Sequence, residues 1–420
     1  MTYFKITNTA EKHNGLKYNT GLNTYPHPFD ENSELSCYTG GIYFSDREHI
    51  AKFYDYGVWI RKVEPIGKVM KDNDTYRARE VILGERLSLG DPKTWEILDI
   101  PQPSMDWASE RGNIKVLNWW KESGLELKYS EYTMDWASID GKLEVLDWWK
   151  ESGLELKYSE YTMDWASIDG KLEVLNWWKE SGLELHYDND TMNSISDKVL
   201  NWWKESGLEL KYSENTMDLA SRDGEIDVLN WWKESGLELK YSEYAMNHAS
   251  GNGHIHVLDW WKESGLKLKY SDYAIESTSN EGNFEVLDWW KESGLELKYS
   301  ETSMDLASGE GEIDVLNWWK ESGLELKYSE YAMNRASKRG NIKVLNWWKE
   351  SELELIYSEE AMELASSEGN IEVLNWWKES GLELKYSEYA MDVAFKEGKI
   401  KVLIWWKESG LKLKYSEKMR

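Results

Sequence analysis

The chain has 420 residues, too many for one continuously growing core, so it is either several domains or a quasi-one-dimensional stack. Its formal net charge is -27, and residues 1–99 hold 13 Lys+Arg against 15 Asp+Glu, so nearly all the excess acid lies beyond Asp99. That field excludes nucleic acid and anionic lipid as partners, the single Cys37 excludes an internal disulfide framework, and no apolar run reaches the roughly 18 residues of a membrane span.

Residues 1–100 carry no repeat and read as a small α+β domain. Strands are expected at 3–7, 41–44, 58–63 and 77–83, with a helix over 46–54 capped by Ser45 and stopped near Gly57, and a turn at Asp72-Asn73-Asp74. His13, His27, His49 and Cys37 lack zinc-finger spacing, and neither a P-loop nor a G-x-S-x-G elbow occurs. Cys37 is expected to be a structural thiol, and no metal or cofactor is expected. His254 and His256, two apart, are not expected to face one another as ligands on a helix.

From Ser104 onward the pair Trp-Trp-Lys-Glu-Ser recurs eleven times, from Trp119 to Trp405, every 29 residues except between Trp177 and Trp202, where the step is 25. A fixed period of that length is the mark of a repeat array. In the unit from Ser130 to Lys157, Ser130 is an N-cap, Met134, Ala137 and Ser138 share one helix face, and Gly141 ends the first helix. A second helix follows with Leu143, Leu146 and Trp149 on one stripe, closed by Gly153 in the left-handed conformation. Adjacent helix residues lie about 100° apart, so the two tryptophans of a pair cannot share one core centre. The second is expected in the core of its layer and the first in the groove between repeats. Asp188–Lys198 omits four residues including the inter-helix glycine, so the fourth unit is expected to be truncated, with a bend or soft joint near Ser194. Glu352 replaces the terminating glycine of the ninth unit, a cost of about 1 kcal/mol if the left-handed conformation persists. Ile404 stands where the other units carry Asn or Asp, leaving no polar cap at that end.

The pattern A-S-x-x-G-x-[IL]-x-V-L-x-W-W-K-E-S-G-L-x-L resembles an ankyrin repeat. Thr133–Ser138 stands where P-L-H-L-A-A stands, and Gly141 and Gly153 match the two helix-ending glycines, but four residues of the hairpin tip are missing. Short linkers are therefore expected in place of projecting hairpins. Arrays rich in W-W-K-x-S-G-L preceded by a motif like Gly40–Ser45 resemble those of giant amoebal viruses of the mimivirus type, and the run Val63–Asp74 is similar to an uncharacterised domain of phage and giant-virus proteins. The resemblance implies a mainly α, helix-turn-helix solenoid of eleven repeats over 104–420 behind the domain at 1–100. It also implies an intracellular protein of the host cytoplasm or the virion, expected to be a monomer.

Within the chain, the residue before Ala-Ser and the two before the inter-helix glycine vary most, and in ankyrin proteins these positions lie on the concave face that meets the partner. Two groups stand out there. Trp107, Trp136 and Trp165, with Glu110, Arg111, Ile139, Asp140, Ile168 and Asp169, form an expected aromatic ladder beside acidic groups. The blander account packs these tryptophans under the N-terminal domain. Arg335, Lys338 and Arg339 form a basic island that could dock an acidic peptide or simply offset neighbouring carboxylates. The expected function is non-enzymatic binding of a protein with a basic or apolar segment. The alternatives are an enzymatic or modifying N-terminal domain with the repeats as its substrate-recruiting arm, for which convergent polar groups around a pocket would speak, and a duplicated spacer.

Overall fold

The computed structural model describes residues 2–13, 15–27, 29 and 40–414; Cys37 and residues 415–420 lie outside the described residues. Two compact units are present, one running to Thr191 with Glu205–Gly207, the other comprising Met192–Lys204 and the residues from Leu208.

The first unit opens with an antiparallel sheet. Its strands are β1 (Tyr3–Thr7), β2 (Lys12–His13), β3 (Leu16–Lys17), β4 (Gly21–Thr24), β5 (Ile42–Asp46), β6 (Trp59–Ile66), β7 (Met70–Asp72), β8 (Thr75–Ala78), β9 (Glu80–Leu83) and β10 (Leu87–Ser88). The order is β4-β9-β6-β1-β5-β8-β7 with β10 on β6, while β2 and β3 form a separate hairpin. Phe44, Val63, Tyr76, Val81 and Leu83 build one core cluster with Tyr18 and Ile42. The expected helix over 46–54 is instead a 3-10 helix over Ile50–Tyr56. Asp46 ends β5 and accepts from the Glu48 and His49 amides and the Tyr76 hydroxyl, which holds 46–49 in a turn.

Helices follow in pairs. In the first unit α1 (Pro92–Leu98) precedes three pairs: α2 (Met105–Glu110) with α3 (Ile114–Glu122), α4 (Tyr132–Ile139) with α5 (Leu143–Glu151), and α6 (Tyr161–Ile168) with α7 (Leu172–Ser181). Gly141 (φ 71°) and Gly153 (φ 70°) take the left-handed conformation that the helix ends require. Among the described residues no strand follows β10, so the linkers project no hairpins. The second unit continues the pairing from α9 (Asn215–Asp223) and α10 (Ile226–Glu234) to α21 (Tyr389–Lys396) and α22 (Ile400–Glu408). Before α9, α8 (Asp197–Ser206) has no first-helix partner of its own. Residues 189–194 run in turns, with Ser194 at φ 53° and Met192 and Ile195 buried.

The tryptophans divide as their helical phase dictates. Trp149, Trp178, Trp261 and Trp290 are buried, and each indole N–H donates to the serine of the Ala-Ser pair in the preceding repeat, as from Trp149 to Ser109 Oγ at 2.9 Å. The first tryptophan of each pair packs edge-on against the second, with centroids 5.0 Å apart for Trp148 and Trp149. In nine of the pairs it donates back to the Asn or Asp that precedes the earlier pair, as from Trp148 to Asn118 Oδ1 at 2.7 Å and from Trp260 to Asn230 Oδ1 at 2.7 Å. A third link joins first helices: Ser159 donates its amide and hydroxyl to Asp135 at 3.0 and 2.6 Å, and Ser329 does the same to Asp305 at 2.9 and 2.5 Å. Where all three bonds form, a layer is tied to its neighbour by two indoles and one serine as well as by apolar burial. Desolvation pushes the Asp135 and Asp305 carboxyls up, and their serine hydrogen bonds partly offset it.

Candidate functional site

The first helices present the variable positions. On α4, Tyr132 and Trp136 are four residues apart and therefore share a face; on α6, Tyr161 and Trp165 repeat the arrangement one unit later. Both tryptophans are 44% exposed, and both tyrosines are more exposed still. Hydrophobic side chains of this size normally leave water on folding, so four of them on two packed helices form a coherent apolar patch. Asp140 and Asp169 end the same helices and are exposed, Ile168 is exposed at 44%, and Ile139 is half-buried.

Trp107 does not join this patch. It is only 6% exposed, and its indole N–H donates to Tyr54 O at 3.4 Å, beneath the 3-10 helix of the sheet region. Arg111 reaches the same helix, donating to Asp55 O at 2.8 Å and lying 3.8 Å from Glu110. Asn113 donates to Gly90 O at 3.1 Å, and Trp95 meets Trp119 edge-on at 5.2 Å. The sheet region therefore occupies the first repeat's variable positions, and the exposed ladder begins at Trp136. In the second unit Tyr244, Tyr273, Tyr331 and Tyr389 are likewise exposed, and the signal that marks all six tyrosines in the sequence is their position two residues after a serine.

The basic island is only partly available. Arg339 is paired with Glu310 at 2.5 Å, the stem of Arg335 lies against Gly309, and Lys338 is exposed. His254 and His256 come closer than helical spacing allows, with ring centroids 5.5 Å apart, because His254 sits at the N-cap (φ -84°, ψ 68°) outside the helix. Among the described residues no group of three His, Cys, Asp or Glu side chains could hold a metal. No helix among them is long and apolar enough to cross a membrane.

A cavity of about 280 Å³ lies in the sheet region among β1, β5, the β2–β3 hairpin and the 3-10 helix. Aromatic rings of Tyr18, Tyr43, Phe44, Phe53 and Tyr56 line it together with Lys5, Thr7, Lys12 and His13.

A protein of Acanthamoeba polyphaga mimivirus named for ankyrin repeats is 34% identical over 128 residues, covering 27% of this chain and 64% of the relative. An uncharacterized protein of the same virus is 33% identical over 102 residues, covering 23% of this chain and 74% of the relative. The chain spans 42% to 64% of the length of three mimivirus relatives named for ankyrin repeats. The ankyrin repeat domain of human ASB11 aligns with 45% of this chain and 96% of its own at 14% identity, with a TM-score of 0.35. No family model matches the chain.

Proposed function

Because this chain belongs to the ankyrin repeat proteins of the mimivirus group, we propose that it is a non-enzymatic scaffold that binds a partner protein through the exposed face of its first helices. Functionally it divides into the domain at 1–100 and an array of eleven repeats over 104–420, the fourth truncated. The exposed quartet Tyr132, Trp136, Tyr161 and Trp165 carries the reading. Large aromatics held on rigid helices lose little entropy on binding and are enriched among interface hot spots. Asp140 and Asp169 beside them, on an acidic array, favour a partner segment that is apolar with basic flanks. The protein acts as a monomer inside the infected cell or in the virion.

The test is affinity purification of the full chain and of its Trp136→Ala/Trp165→Ala variant from infected amoebae, read by quantitative mass spectrometry. Both side chains are largely solvated, so thermal stability should change little while the main partner is depleted at least about tenfold, the loss expected from removing two hot spots. Equal recovery of every partner by the two proteins removes the quartet from the account. The alternative of a modifying N-terminal domain served by the repeats is favoured by one observation, the polar and aromatic cavity around Lys5.

A further inference from the structure

Lys5 is buried in the wall of that cavity without a carboxylate partner. Its Nζ donates to Tyr43 O at 2.7 Å and lies 4.5 Å from the centre of the Tyr18 ring, and no ion pair is formed with any described residue. The contrast with its cross-strand neighbour is direct. Arg61, opposite Lys5 in the β1–β6 register, is equally buried but held by Glu11 at 2.7 Å. A buried cation left unpaired in a sheet that pairs the adjacent one is costly unless something compensates it. A second observation lies one turn of the pleat away. Thr7, on the same face of β1 and also lining the cavity, has a buried hydroxyl with no hydrogen-bond partner. Among the described lining residues there is no carboxylate, while Lys12 and His13 add positive charge or donors.

We propose that this cavity binds a small aromatic carboxylate, whose carboxylate group pairs with Lys5 Nζ while its ring packs among Phe44, Phe53 and Tyr56. The ligand would supply the counter-charge that the lining residues do not provide, and the volume suits a single substituted ring. This goes beyond the scaffold reading and does not depend on it. Burial lowers the Lys5 ammonium to about 8, so Lys5 itself loses its positive charge just above neutrality. The other titratable groups around it are Lys12 and His13 of the hairpin, Tyr18, Tyr43 and Tyr56, with the Glu11–Arg61 pair on the neighbouring strand. Burial and then Lys5 itself lower His13, and burial raises Tyr18 to about 12, so neither takes over the change.

Isothermal titration of the full chain with benzoate, and with benzyl alcohol as the uncharged control, tests this. Near pH 7 benzoate should bind at least about tenfold more tightly than benzyl alcohol, the discrimination expected of one desolvated charge pair. Benzoate affinity should fall about tenfold by pH 9, as the ammonium titrates with its pKa of about 8, while benzyl alcohol is unaffected. Lys5→Met should abolish the preference for benzoate. The pH series on the unmodified protein stands even if that variant fails to fold. Equal affinity for the two probes, no measurable binding of benzoate, or a benzoate affinity flat across this range would each overturn the proposal.

Discussion

The truncated fourth unit leaves a chemical mark one layer on, and it can be measured. In complete repeats the core indole donates to the serine of the preceding Ala-Ser pair, as Trp261 does to Ser221 Oγ at 3.0 Å. Trp232 is equally buried but its indole N–H has no acceptor. Ser196 stands four residues after Met192, as Ser138 stands four after Met134, but no helix turns it under the indole and it is exposed. Trp→Phe at either site removes the same ring volume; at about 24 cal/mol per Å³ of cavity this common cost is on the order of 1 kcal/mol. Both tryptophans keep similar tyrosine neighbours, Tyr212 at 4.7 Å and Tyr241 at 4.8 Å, so that contribution also cancels. What differs is the N–H. Trp261→Phe loses a satisfied hydrogen bond worth about 0.5–1.5 kcal/mol, whereas Trp232→Phe removes an orphaned donor whose burial costs about 1–3 kcal/mol. Trp261→Phe should therefore be the more destabilising by about 1.5–4.5 kcal/mol, with Trp232→Phe between neutral and about 2 kcal/mol stabilising. Urea unfolding followed by circular dichroism gives the ranking, and hydrogen exchange in α9 and α10 localises it, since a long array need not unfold in two states. Equal destabilisation by the two variants would refute the claim that the serine acceptor, rather than ring burial, distinguishes the layers.

Two further outcomes follow from backbone and charge. Glu352 holds φ 64° where the other units place glycine, so Glu352→Gly should stabilise the array by about 1 kcal/mol, while Glu352→Ala, still bearing a Cβ, should not; thermal melts compare them. Asp164, which accepts from Thr191, is raised to about 6 by desolvation, with Asp188, Glu160 and Asp190 adding to the shift. A carboxyl raised in the folded state contributes stability that is fully present below its unfolded value near 3.8 and is lost as pH rises through about 6. At about 1.4 kcal/mol per unit the charged form costs at most about 3 kcal/mol at neutrality, and less because the side chain is partly solvated. Asp164→Asn should therefore narrow the gap between melting temperatures at pH 5 and pH 7; an unchanged gap would assign that gap to other carboxylates.

Features that repeat at helical spacing were readable from the sequence, and features that depend on what lies a layer away were not. The two helices of each unit, the left-handed Gly141 and Gly153, the retained φ at Glu352 and the division of each tryptophan pair follow from local periodicity and from the steric limits on a Cβ. The polar ties between layers do not. Asp135 and Ser159 are 24 residues apart, Asn118 and Trp148 are 30, and Ser109 and Trp149 are 40, so each side chain taken alone looks like solvated variation or a cap. A signal was nevertheless present. The residue before Trp-Trp is Asn or Asp in every unit but one, and the two share only a side-chain oxygen placed to accept. The exception is Ile404, which offers no such oxygen. Packing of these tryptophans under the N-terminal domain was one reading of the sequence, but its restriction to Trp107 was not legible, for a related cause. Its cover is the carbonyl of Tyr54, 53 residues earlier in a region without the repeat, so nothing in the period distinguishes Trp107 from Trp136 and Trp165. The same limit applies to Lys5. Its missing counter-charge is defined by the strands and the 3-10 helix around it, and only their assembly turns a lysine in a strand into an unpaired buried cation facing a cavity.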